Sequence, residues 1–97
     1  MTTRFHELAA AELSEATAFY DTKAEGLGDQ LLAEVRAAAA YIESFPESSP
    51  VIERGVRRKV LAKFPYDLYY TLDPSHIVIL SVAHESRRPG LWRGRTA

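Results

Sequence analysis

The chain has 97 residues, 46% hydrophobic and 26% charged, a balance that fits one globular domain over residues 1–97 with a small core. It has no cysteine, which excludes a disulfide framework, thiolate metal sites and a cysteine nucleophile, and no apolar run approaches the roughly 20 residues of a membrane span. The net charge of −1 hides two unlike halves: residues 1–53 carry ten acidic and three basic side chains, residues 54–97 three acidic and nine basic. That division points to a polyanion or an acidic partner for the basic half. The opening MTTRFHELAA is polar, without a signal-peptide apolar stretch, so a cytoplasmic protein with no membrane partner is expected.

Residues 3–7, TRFHE, read as a short first strand, with Arg4 and His6 on one face and Phe5 on the other. From Ala9 to about Ala24, Leu13, Ala16, Phe19, Tyr20 and Lys23 follow helical spacing, with Glu12, Glu15 and Asp21 between them. Gly26 ends that helix. Leu27, Leu31, Val35, Ala38 and Ile42 then mark a second helix over 27–44, and the short junction makes the two an antiparallel hairpin. Pro46 and Pro50 bracket a polar loop over 45–50.

Beyond the loop the period changes from 3.6 to 2. Val56, Arg58 and Val60 alternate with Arg57, Lys59 and Leu61, and after Pro65 the residues Tyr66, Leu68, Tyr70 and Leu72 alternate with Asp67, Tyr69 and Thr71. Asp73-Pro74-Ser75 forms a turn, and the β-branched run 76–84 reads as a central strand covered on both faces. The last thirteen residues are basic and broken by Gly and Pro. The expectation is an α+β two-layer domain of order β-α-α-β-β-β. Its sheet is antiparallel, with the N-terminal strand beside the last one and the helix hairpin on one face.

No GxGxxG, P-loop, HExxH or GxSxG motif is present, and His6, His76 and His84 lack metal-ligand spacing, so neither metal nor cofactor is expected. What stands out is a basic and aromatic set: Arg57, Arg58, Lys59 and Lys63; Tyr66, Tyr69 and Tyr70; and His84, Arg87, Arg88, Trp92, Arg93 and Arg95. Arginine grips phosphate or carboxylate in bidentate fashion, aromatics stack or plug pockets, and a histidine exchanges protons near neutral pH. Each has a structural alternative. Arg57–Lys59 would discourage edge pairing, His84 would bond a backbone group at a strand end, and Trp92 would pin the tail to the core.

With the FPY at 64–66 and the H-x-x-R-x-P-x-x-W ending from His84 to Trp92, the chain resembles the RelE/ParE toxins of bacterial type II toxin–antitoxin systems. More narrowly it resembles the ParE-like, or plasmid-stabilisation, branch. The stretch ELAAAELSEATAFYD at 7–21, the Gly26-Leu27-Gly28 junction and Glu43 and Pro46 before the loop agree, so the likeness covers nearly the whole chain. It implies the same β-α-α-β-β-β layout and a cognate antitoxin as partner, with DNA contacted only through that antitoxin. For the ParE-like branch it implies inhibition of DNA gyrase without catalysis. For the RelE-like branch it implies ribosome-dependent cleavage of mRNA, with His84 as base and Arg87 as phosphate clamp; a toxin degenerated to a mere antitoxin binder is the third case. On either active reading, Arg57, Arg58, Lys63, Tyr66, Arg88, Trp92 and Arg95 are the expected residues for target or antitoxin. A net charge of −1, a pI near 6.3, and Trp92 where an RNase of this family often carries tyrosine favour gyrase.

Overall fold

The computed structural model describes residues 1–95. Strand β1 (Thr2–Phe5) leads into helices α1 (Glu7–Lys23) and α2 (Leu27–Ser44). Strands β2 (Val51–Glu53), β3 (Val56–Val60), β4 (Tyr66–Leu72) and β5 (His76–His84) follow, in one sheet of order β1-β5-β4-β3-β2.

His6 does not extend the first strand. Its Nδ1 accepts the Leu8 N–H at 3.1 Å and caps α1, which already includes Glu7. Between the helices Gly26 takes φ +81°, the left-handed conformation that glycine adopts without strain. Gly28 serves close approach: a Cβ there would lie 2.4 Å from the Thr17 carbonyl oxygen, and its N–H instead donates to Asp21 Oδ1 at 2.8 Å.

The hairpin packs on one face of the sheet. Ala9 and Ala16 of α1 and Leu31, Val35, Ala38 and Ile42 of α2 meet Leu68 and Tyr70 of β4 and Ile77, Ile79 and Val82 of β5. On the opposite face Val56, Val78 and Leu80 form a second cluster with Trp92, flanked by Tyr69. Strand β5 is thus buried from Ile77 to Ala83, as a central strand should be, and Trp92 pins the tail as a core anchor.

Two features depart from the expected topology. Residues 51–53, next to the loop, form the additional edge strand β2, which turns back through Arg54-Gly55 onto β3. The sheet is mixed, because β1 pairs with β5 in parallel while the other pairs are antiparallel. The reason lies in α1, which continues in the direction of β1. Its Glu12 meets Ser81 and Val82, and Phe19 shares a cleft with His84 further along β5. The reversals into α2, β3, β4 and β5 then bring β5 back to the heading of β1.

Candidate functional site

Two clefts meet at the end of β5. The first, about 370 Å³, opens on the helix side between α1 and β5, lined by Glu12, Glu15, Phe19, Tyr66, His84 and Arg87 among others. The second, about 310 Å³, lies on the other face between the sheet and the tail, lined by Arg58, Asp67, Tyr69, Arg88 and Trp92 among others. His84, Arg87 and Leu91 line both and form the ridge between them.

On the ridge His84 is half-buried. Its Nδ1 accepts the Ser86 backbone N–H at 3.0 Å, and the Ser86 hydroxyl lies 2.8 Å from the same nitrogen. Its ring meets Tyr66 edge-on at 5.1 Å. With Nδ1 accepting the Ser86 N–H, the lone pair of that nitrogen is already engaged. Burial first, and then Tyr20, push the Tyr66 phenol above its ordinary range, so it stays protonated at neutral pH. Arg87 is exposed, its backbone N–H donating to the His84 carbonyl at 2.9 Å. Around this ridge Arg87 is the exposed cation, beside the half-buried His84 and Tyr66.

The alternation of β3 separates its arginines. Arg58 faces the second cleft beside Tyr69, whereas the Arg57 guanidinium donates to the Glu47 and Ser49 carbonyls at 3.1 and 2.7 Å. Arg57 therefore anchors the 45–50 loop rather than joining the basic surface. Lys63 stands apart at the β3–β4 connection, where its backbone N–H donates to the Glu34 carboxylate at 3.0 and 3.2 Å.

In the second cleft Trp92 is 6% exposed and stacks on Tyr69 at 4.2 Å between centroids, so its ring faces are not open for docking. Arg95 is also structural. Its guanidinium donates to Glu12 and to the Leu80 carbonyl, at 2.8 to 3.1 Å. Arg88 is exposed and lines the second cleft, and Arg93 is held by Glu53 in a two-bond pair at 2.9 and 2.7 Å. Of the expected residues the structure thus gathers Arg58, His84, Arg87 and Arg88, with Tyr66 on the helix side. It sets Arg57, Lys63 and Arg95 apart from them and buries Trp92.

Sequence reasoning passed over Asp67 and Glu12. Asp67 is 6% exposed, and burial pushes its carboxyl above the usual range against the pull of Arg58. It lies in the Asp67-Tyr69-Thr71 alternation, on a face that the tail covers without any periodicity of its own. Glu12 shares a helical stripe with Ala9 and Ala16, and a carboxylate among small apolar residues was the available signal. Among the described residues no cluster of His, Cys, Asp and Glu could hold a metal ion, and no helix is long and apolar enough to cross a membrane.

The chain matches the family model described as "ParE toxin of type II toxin-antitoxin system, parDE" over residues 3–89. The match includes His84 and Arg87 and stops short of Trp92 and Arg95. Among solved structures it is similar to a chain of the chromosomal ParDE toxin–antitoxin system from P. aeruginosa, with a TM-score of 0.64 and 19% identity over 87% of this chain and 95% of that one. At that identity the likeness is one of fold. No curated protein matches the chain.

Proposed function

This chain belongs to the ParE toxin family of type II toxin–antitoxin systems, and we propose that within it the protein is a toxin restrained by a cognate antitoxin that arrests growth by binding DNA gyrase rather than by cutting mRNA. The hydrogen bond from the Ser86 N–H to His84 Nδ1 carries the choice. RNA cleavage at this ridge needs a group that takes the proton of a 2′-hydroxyl. The His84 Nδ1 lone pair is already taken by the Ser86 N–H, and burial holds the Tyr66 phenol above its ordinary range. The helix-side cleft also includes Glu15, whose negative charge opposes a polyphosphate. Binding a protein target needs none of that chemistry. It needs reachable cations, and Arg58, Arg87 and Arg88 are exposed.

Expression without an antitoxin should stop bacterial growth. Purified protein should block gyrase supercoiling and leave translated mRNA intact in primer extension, and His84→Ala should keep the block. Cleavage between codon positions with normal supercoiling, reduced by about 10²–10⁴ in His84→Ala, would overturn the proposal.

A further inference from the structure

We propose that residues 86–95 form a strap that lifts from the sheet as a unit while the hairpin and the strands stay folded, and that lifting takes both clefts apart. Side chains alone attach it. The last backbone hydrogen bond from the end of the chain to the rest of the molecule runs from the Glu85 N–H to the Pro65 carbonyl at 2.8 Å. Beyond it, among the described residues, backbone–backbone bonds only close local turns: Arg87 to His84, Arg93 to Gly90 and Arg95 to Trp92. Strand β1, also at the border of the fold, is by contrast held to β5 by a strand ladder.

Three side chains hold the strap. Trp92 covers Val56, Val78 and Leu80 and stacks on Tyr69. Arg93 pairs with Glu53 at the surface, where an ion pair holds weakly. Arg95 is the firmest, its side chain 12% exposed between Glu12 and the Leu80 carbonyl. Leu80 is the residue that the β4–β5 ladder skips between Ile79 and Ser81, so this latch sits on a bulge. Beneath these contacts the seat is incomplete. Asp67 Oδ1 and Trp92 Nε1 are buried without a hydrogen-bond partner, and the one bond to Asp67, from the Tyr69 hydroxyl, is 3.5 Å long. Lifting the strap hydrates both groups and so lowers the cost of uncovering Val56, Val78 and Leu80. Lifting the hairpin would uncover Leu31, Val35 and Ile42 with no such gain, because among the described residues no buried side-chain atom beneath it is left unpaired.

A segment with few backbone bonds to its surroundings and a small apolar seat opens below the free energy of the whole molecule. The clefts open with it, because each is built partly on the strap. Arg58, Tyr66 and His84 stay with the sheet, whereas Arg87, Arg88 and Leu91 leave with the strap. A partner that needs either cleft therefore binds only the closed fraction, and its apparent affinity is scaled by that fraction. The opening itself does not rest on the toxin reading.

Trp92 is the only tryptophan and the chain has no cysteine, so a single indole N–H and a single introduced thiol can each report on the strap. In the ¹⁵N-labelled full chain, hydrogen exchange below the urea transition should protect the Trp92 indole N–H at least about tenfold less than the slowest amides of β5, with a shallower urea dependence. Val78 and Ile77 are neighbours on β5, 2% and 0% exposed, under the strap and the hairpin respectively. Val78→Cys should react with dithiobis(nitrobenzoate) at least about tenfold faster than Ile77→Cys. Val35→Ala, which weakens the hairpin, should speed the labelling of Ile77→Cys and leave that of Val78→Cys unchanged, because the hairpin contacts survive in the open state. An indole protected as strongly as the β5 amides, with their urea dependence, overturns the proposal. So does equal labelling of the two thiols, or a Val35→Ala change that speeds both alike. The exchange measurement uses the wild-type chain and needs no variant to fold. None of these readouts involves growth or supercoiling, so a failure here stays distinct from a failure of the gyrase reading.

Discussion

On one face of the sheet the helix hairpin lays Leu31, Val35 and Ile42 over Leu68, Tyr70, Ile77 and Ile79, all at most 1% exposed; on the other an irregular segment lays one indole over Val56, Val78 and Leu80. The helices satisfy their own backbone and bring a continuous apolar stripe. The tail has no such stripe, so it is held by single large contacts and by charge: Trp92 on Tyr69, Arg93 on Glu53, Arg95 on Glu12. The hairpin face closes a core. The tail face keeps arginines exposed beside the cleft and, among the described residues, leaves two buried polar atoms without a partner.

The comparison breaks first at Trp92. Trp92→Ala should cost roughly 3–5 kcal/mol in urea denaturation, the range for truncating a large buried aromatic, and should uncover Val56, Val78 and Leu80. A loss below about 1 kcal/mol would mean that the second face is no core at all.

Glu12 tests whether the two faces are one cooperative unit. Its carboxylate takes the Ser81 hydroxyl and the Val82 N–H at 3.0 Å and the Arg95 guanidinium at 2.9 and 3.1 Å, joining α1, β5 and the tail. Glu12→Ala should cost about 2–3 kcal/mol, because a largely buried guanidinium and a backbone N–H lose their acceptor. A double-mutant cycle with Arg95→Ala should show coupling of about 1 kcal/mol or more. Additive losses would show that the tail folds onto the sheet independently of α1.

The smallest effect sharpens the contrast by pH. Burial raises the Asp67 carboxyl in the folded state, so its protonated form is favoured there. The stability tied to that shift is fully present below the ordinary aspartate pKa of about 4 and is lost as pH rises through the raised folded value. Asp67→Asn, neutral throughout, should therefore raise the thermal midpoint at pH 7 and leave it nearly unchanged at pH 3. An equal rise at both pH values would place the cause elsewhere than in the charge.

Periodicity carried the helix hairpin, β3 to β5 and the burial of β5, because regular elements facing a core repeat their apolar residues at 3.6 or 2. It missed β2, whose three residues are too few to show a period, and the direction of β1, which depends on how α1 leaves His6. Composition located the basic half but not the division of labour within it. Arg57 and Arg58 are neighbours in sequence and identical in charge, yet β3 turns one to the 45–50 loop and the other to the second cleft. Arg95 could be assigned to the fold only once Glu12 stood beside it, and the two lie at opposite ends of the chain.

The pairing of β1 with β5 ties residues 2–5 to residues 76–79, about three quarters of the chain apart. A contact of such long sequence separation forms late, and a ribosome makes the N-terminal partner first. The hairpin therefore emerges with its apolar stripe uncovered and waits for the strand it must cover. Arg87, Arg88, Leu91, Trp92 and Arg93 are the last of the cleft residues to be synthesised. Neither cleft is complete until residues 87–93 have followed the sheet, so both take shape after the hairpin and the strands.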